Sequence, residues 1–399
     1  MTLDFILFGL TLAGVAFFHH HTLQVALTGL AVIIGYQLFF SQFPAGPGLA
    51  GLAAHLSHEW VIVANLACLL LGFAILSRHF EKSHVPLALP KLLPDDWKGC
   101  FLLLVIVFVL SSFLDNIAAA MIGGAMAHTL FKKVHLGYLA AIVAASNAGG
   151  SGSVVGDTTT TMMWIDGVDP RNVLHAFVAA GVALIISGLV AAFQQHNYSP
   201  IMKSVHHQPH IDWTRVGIVL TMLIVAIGTN VVVNIRYPDV ADSFPFIGVA
   251  LWIVILLSAA IRRPDWELLR EAGRGAAFLL ALVLAASLMP VDHLPAASWR
   301  TTFGLGFVSA VFDNIPLTKL ALEQGGYDWG VLAFAVGYGG SMIWFGSSAG
   351  VAITNLYPEA RSVGSWVRQG WHVAVAYVIG FFVMLAVMGW QPHAPHRVL

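Results

Sequence analysis

Ser111-Ser-Phe-Leu-Asp-Asn-Ile117 and Ser309-Ala-Val-Phe-Asp-Asn-Ile315 are two versions of one segment, and each interrupts an apolar stretch, 99–130 and 301–325, at its middle. The apolar run on either side of each Asp-Asn pair is short for a bilayer crossing, which takes about 17–25 residues. It suits a re-entrant hairpin that turns at the polar pair. A second repeated element follows each hairpin. Asn147-Ala-Gly-Gly-Ser-Gly-Ser-Val-Val-Gly-Asp157 lies inside the apolar segment 135–165, and Gly337-Tyr-Gly-Gly-Ser-Met-Ile-Trp-Phe-Gly-Ser-Ser348 lies inside 327–357. One straight helix over either segment would measure about 46 Å at 1.5 Å per residue, against a hydrocarbon core of about 30 Å. The central glycines predict that each helix stops and restarts.

Working outward, further apolar runs at 1–18, 22–40, 60–77, 172–193, 214–235, 244–261, 273–289 and 370–390 are each long enough to cross. With the two broken segments they make ten crossings. The chain then reads twice: three crossings, a hairpin, a broken crossing and one more crossing. The two copies share residues as well as order, for Gly149-Gly-Ser151-x4-Gly156 matches Gly339-Gly-Ser341-x4-Gly346. This is an internal duplication, dividing the chain at 1–200 and 201–399. A unit of five crossings returns on the opposite side, so the second copy is expected to be inverted. Inverted repeats with discontinuous helices are the plan of secondary transporters. The expected fold class is an all-α polytopic membrane protein.

Composition agrees. Of 399 residues, 58% are hydrophobic and 10% charged, with a mean hydropathy of +0.80, whereas soluble domains carry about 25% charged residues. A soluble enzyme, a disordered chain and a nucleic-acid binder are excluded, and a net charge of −1 gives no field for a polyanionic partner. Cys68 and Cys100 form neither a disulfide framework nor a metal motif. The first basic residue is Arg78, so a cleaved signal peptide is not expected.

The charges test the span count. With these crossings, 14 of the 19 Lys and Arg fall on one side and four (Arg171, Arg236, Arg300 and Arg397) on the other, with only Lys319 inside a hairpin. By the positive-inside rule the richer side is cytoplasmic, which predicts periplasmic termini. The compact loops point to a bacterial inner membrane.

Three carboxylates, Asp115, Asp157 and Asp313, sit deep in apolar sequence, each costing about 2.5–3.5 kcal/mol at mid-bilayer. Capping of half-helices is one reading. A cation site is the other, because carboxylate, amide and hydroxyl oxygens and carbonyls freed by helix breaks are hard ligands. One site would combine Ser112, Asp115, Asn116, Asn147, Asp157 and Thr158. A second would combine Ser309, Asp313, Asn314, Ser341, Ser347 and Ser348. The ions held by Asp115, Asn116, Asp157, Asp313 and Asn314 would be Na⁺ or Li⁺. Desolvation favours the neutral acid and a bound cation favours the carboxylate, so proton and cation would compete for one group. Lys319, six residues after Asp313, either snorkels to the outer interface, or reaches toward Asp313 and replaces a cation there or is itself the proton carrier.

The doubled Asp-Asn hairpin, with the Asn147–Asp157-Thr-Thr-Thr-Thr-Met-Met-Trp164 and Gly339–Gly350 stretches, resembles NhaD-type sodium/proton antiporters. These belong to the ion transporter superfamily, alongside arsenite-efflux and divalent-anion/sodium symporter families. The resemblance covers roughly 100–165 and 300–355. It implies an elevator-type carrier and a homodimer in lipid, with the outer crossings as scaffold and both hairpins in a transport domain. It implies roles for Asp115, Asn116, Asp157, Thr158, Asp313 and Asn314, with no cofactor beyond the transported Na⁺ or Li⁺ and H⁺. Two features depart from that pattern, Ile117-Ala-Ala-Ala120 and Lys319, and both count against a second bound sodium.

An anion or oxyanion carrier on the same scaffold is the alternative. An intramembrane aspartyl protease is a third, weakened because Val154-Val-Gly-Asp157 lacks the first glycine of its Gly-x-Gly-Asp motif and Tyr327-Asp328 follows rather than precedes it. No GxxxxGK[ST] motif supports a primary pump. The His19-His-His21 and His206-His-Gln-Pro-His210 clusters read as polar loop, with a metal or pH-sensing role open. Trp60, Trp97, Trp213, Trp266, Trp366 and Trp371 near span ends read as interfacial anchors.

Overall fold

In hydrocarbon a backbone satisfies its N–H and C=O groups only within itself, and a helix is the simplest way to do so. The apolar runs fold accordingly in the computed structural model, which describes residues 3–18, 21–41, 43, 46–202, 210–237, 240 and 243–393. The helices are α1 (Leu3–Phe17), α2 (Thr22–Phe40), α3 (Gly48–Lys82), α4 (Trp97–Ser111), α5 (Asn116–Leu130), α6 (Leu136–Ser151), α7 (Thr158–Ile165) and α8 (Ala176–Tyr198). They continue as α9 (Trp213–Arg236), α10 (Phe246–Ser258), α11 (Leu268–Ser287), α12 (Trp299–Ser309), α13 (Asn314–Gln324), α14 (Trp329–Gly339), α15 (Ser348–Leu356) and α16 (Trp371–Met388). Among the described residues the only β-type pairings are isolated bridges, Phe43 with Gly46 and Phe131 with Ile201. The protein is an all-helical, multi-pass membrane protein.

Both hairpins form where the Asp-Asn pairs stand: α4 and α5 turn at 112–115, α12 and α13 at 310–313. Both broken helices form too, as α6 and α7 and as α14 and α15. One expected span is corrected. The crossing read at 60–77 is the end of α3, a 35-residue helix, about 52 Å long. Residues 48–59 mix glycine, histidine and glutamate with apolar residues and carry no crossing signal of their own. His19, His20, Lys203, His206, His207 and Arg397 lie outside the described residues.

The helices pack in two groups. One contains α1, α2, α3, α9, α10 and α11; the other contains both hairpins, both broken helices, α8 and α16. The groups meet chiefly where α3 touches α7 and α11 touches α13. Loop contacts tie the helix ends together at two places. Arg78 and Lys82 at the end of α3 grip Asp265, and Arg262 grips Asp212. Lys82 and Arg78 hold the Asp265 carboxyl below the usual carboxylate range, and Arg262 does the same for Asp212. At the other end of α16, Gln391 N–H donates to Asp328 and Gly326 N–H to the His393 carbonyl.

Each hairpin lies directly on its broken helix, and glycine is what lets it. A Cβ on Gly149 would strike the Phe108 carbonyl, and one on Gly156 the Ser111 carbonyl. In the second half, Gly339 meets Gly306 and Gly346 meets Ala310 in the same manner. The paired motifs are therefore backbone-on-backbone contacts. Gly156→Ala is expected to cost about 1–3 kcal/mol through forced displacement. Gly181→Ala, with nothing within 4 Å of its Cβ, is expected to be neutral or slightly stabilising. Thermal unfolding of the two variants in detergent checks the contrast.

Candidate functional site

Four half-helices begin near one another: α5, α7, α13 and α15. Three of the residues at their starts spend their side chains on capping. Asp115 accepts from Ile117 N–H at 3.1 Å, Asp313 from Ile315 N–H at 3.0 Å and Ser347 from Gly350 N–H at 3.3 Å. Asp157, at the start of α7, forms no regular capping bond. Its buried carboxylate instead accepts from Asn116 Nδ2 at 3.1 Å, Thr159 Oγ1 at 2.6 Å and Asn314 Nδ2 at 3.3 Å. Converging helix N-termini favour negative charge at this point.

The network continues through amides. Asn116 Nδ2 also reaches Asn147 Oδ1 at 3.1 Å, and Asn147 Nδ2 donates to Ser341 Oγ at 2.9 Å and Ser347 Oγ at 3.1 Å. Asp115, Asn116, Asp157, Thr158, Asn314 and Ser348 line a cavity of about 180 Å³, closed on its other wall by apolar residues of α3 and α11. That volume holds a handful of waters at about 30 Å³ each. A second cavity, about 210 Å³, is lined by Asp313, Ser347 and Ser348 with residues of α1 and α11.

Several expectations are corrected by this geometry. The two sites are not separate, because Asn314 donates to Asp157 and Asn147 reaches Ser341 and Ser347 across the halves. The physical reason is packing: α13 lies on α7, so the amide at the tip of α13 meets the carboxylate at the start of α7. Ser112 and Ser309 are ties between hairpin and broken helix, donating to the Gly149 carbonyl at 3.1 Å and the Val336 carbonyl at 2.6 Å. Lys319 neither snorkels nor reaches Asp313. Its buried ammonium lies 2.8 Å from Glu59 of α3 and 2.5 Å from Glu323.

Thr159, Glu59 and Glu323 escaped the sequence reading. The i, i+4 spacing of Lys319 and Glu323 was a usable signal, whereas Glu59 stood one residue outside the apolar run. Asp328, the protease candidate's other carboxylate, caps α14 at the end remote from Asp157, accepting from Val331 N–H. Among the described residues, no three His, Cys, Asp or Glu side chains gather as a metal centre. The site is built of carboxylate, amide and hydroxyl oxygens.

No protein-family model matches the chain. Among curated proteins it is 26% identical to sodium/proton antiporter 1 of Arabidopsis thaliana, over 93% of this chain and 71% of that one. It is 24% identical to the Na⁺/H⁺ antiporter NhaD of Vibrio parahaemolyticus, over 62% of this chain and 71% of the relative. The chain is similar to NhaD-type sodium/proton antiporters. Among solved structures it matches Neisseria gonorrhoeae MtrF, described as one of a class of antimetabolite efflux pumps, with a TM-score of 0.51 and 12% identity over 94% of this chain and 96% of that one. At that identity the likeness concerns the fold alone.

Asn116 serves two buried acceptors and Asn314 one. Asn116→Ala is therefore expected to lower the thermal unfolding midpoint more than Asn314→Ala. Each unsatisfied buried group costs about 1–3 kcal/mol, and unfolding measured on both variants in one detergent checks the order.

Proposed function

We propose that this protein is a secondary transporter exchanging Na⁺ for H⁺, with Asp157 as the group for which the two ions compete. The observation that carries the reading is that the Asp157 carboxylate is held mainly by the side chains of Asn116, Asn314 and Thr159 without a regular capping bond, while Asp115, Asp313 and Ser347 are all committed to capping. A buried carboxylate ringed by amide and hydroxyl donors is held in place yet keeps lone pairs for a cation. Protonated, it stays neutral in the low-dielectric site; ionised, it needs a counter-ion. Asn116 and Asn314 present N–H to the ionised acid. A rotation of either amide turns its Oδ1 toward an arriving Na⁺ or Li⁺. The names of the relatives support the same exchange.

In this reading the chain is an inverted repeat of 1–200 and 201–399. The hairpins and broken helices form a transport domain that moves as an elevator against the group around α3 and α11. The grouping of contacts and the placing of both cavities along that boundary support it. The protein sits as a homodimer in the lipid of a bacterial inner membrane with periplasmic termini, a placement supported by the basic residues gathered at one end. Its other partners are small inorganic ions, and no nucleic acid. An anion carrier would need a cation facing the cavity; Lys319 instead lies between two glutamates.

Asp157→Asn is expected to insert and fold yet abolish Na⁺- or Li⁺-induced proton flux in proteoliposomes. Asp115→Asn, in the same cavity, is expected to reduce it severely. Wild-type flux from Asp157→Asn protein refutes the competition.

A further inference from the structure

Lys319 has one carboxylate on its own helix and one on another. Glu323, a turn further along α13, is enough to neutralise it. Glu59 comes from α3, in the other packing group, and the Lys319 and Glu59 side chains are 2% and 3% exposed. Glu323 is 15% exposed, so the set of one ammonium and two carboxylates is largely rather than wholly buried; its excess negative charge favours a further proton or cation there. His55, a turn before Glu59 on α3, is 1% exposed. Its Nε2 lies 2.9 Å from Ser287 Oγ of α11, and its Nδ1 has no hydrogen-bond partner. A proton thus has two places to reside, Glu59 and His55, at the boundary between the two helix groups.

The other charged groups facing the cluster leave the excess in place. Asp166, at the end of α7, adds negative field at Lys319, and His58 lies near His55. Asp292 and His293 are exposed in the turn that packs on α13. Beyond Ser287, Asp4 is held by Gln37, which also binds the Leu288 carbonyl. Further along the same helix, Asn314 opens α13 on Asp157, about 7–8 Å from Lys319 along the axis. A displacement of α13 as a body against α3 would part Lys319 from Glu59.

We propose that Lys319, Glu59, Glu323 and His55 form a second proton-binding site that acts as a latch between α3 and the second hairpin. With Glu59 ionised the latch is closed. A proton taken up by Glu59 releases Lys319, which travels with Glu323 as its counter-ion, and the proton returns to solvent when the pair re-forms. The latch rests on the exchange reading above, and the test separates the two.

Na⁺-driven proton flux is measured against pH in proteoliposomes for wild type and Glu59→Gln. Glu59→Gln is expected to keep transport, with a KM for Na⁺ within about twofold of wild type. It should also sustain its rate at alkaline pH where wild type declines, moving the alkaline half-maximum up by about half a pH unit or more. Superimposable profiles overturn the latch, as does complete loss of flux in folded Glu59→Gln protein. Absence of Na⁺-driven flux from wild type overturns the exchange reading instead. If Glu59→Gln does not insert, Glu59→Asp, which withdraws the charge by one methylene, serves in its place, and an unshifted profile there overturns the latch equally.

Discussion

Everything in this protein's centre is arranged around one buried carboxylate. Asp157 stands at a helix start within an apolar domain, a position costing about 2.5–3.5 kcal/mol for an unrelieved charge at mid-bilayer. The fold answers that cost with hydrogen bonds from Asn116, Asn314 and Thr159. To bring those donors in, two hairpins must enter from separate parts of the chain and two helices must break. To bring the hairpins close, the breaks must be lined with glycine. The repeated Gly-Gly-Ser and Asp-Asn motifs are consequences of that single requirement.

The two hairpins meet their broken helices in the same backbone manner but with different chemistry. Gly149 and Gly156 meet the first hairpin as Gly339 and Gly346 meet the second. Yet where the first half places Asp157, free of regular capping, the second places Ser347, which caps its helix and accepts from Asn147. One half supplies the charged group and the other supplies neutral oxygens and an amide. That asymmetry suits a single exchangeable cation better than a matched pair.

Much of this was legible in the sequence because it depends on local signals. An Asp-Asn pair or a glycine cluster inside an apolar run has few structural meanings in a bilayer, so hairpins and breaks could be placed to within a few residues. The start of α3 was not legible, since residues 48–59 lack a continuous apolar signal, and with it went Glu59 and the true partner of Lys319. The joining of Asn314 to Asp157 was equally hidden, because adjacency to Asp313 in the chain says nothing of which way an amide at a helix tip will face. Ser112 and Ser309 were legible as polar residues in apolar surroundings, but only packing shows that they tie backbones together. Asn116 and Asn147 were rightly grouped with Asp157, whereas the local partners Thr159 and Glu323 were missed along with the tertiary partner Glu59.

The central claim is that one carboxylate binds either a proton or a sodium ion. Its most direct test is the count of protons released when Na⁺ is added to the purified protein in weakly buffered detergent solution, with Asp157→Asn alongside. The account predicts proton release that saturates with Na⁺ and disappears in the variant. Sodium binding without proton release, or the same release from Asp157→Asn, would contradict it.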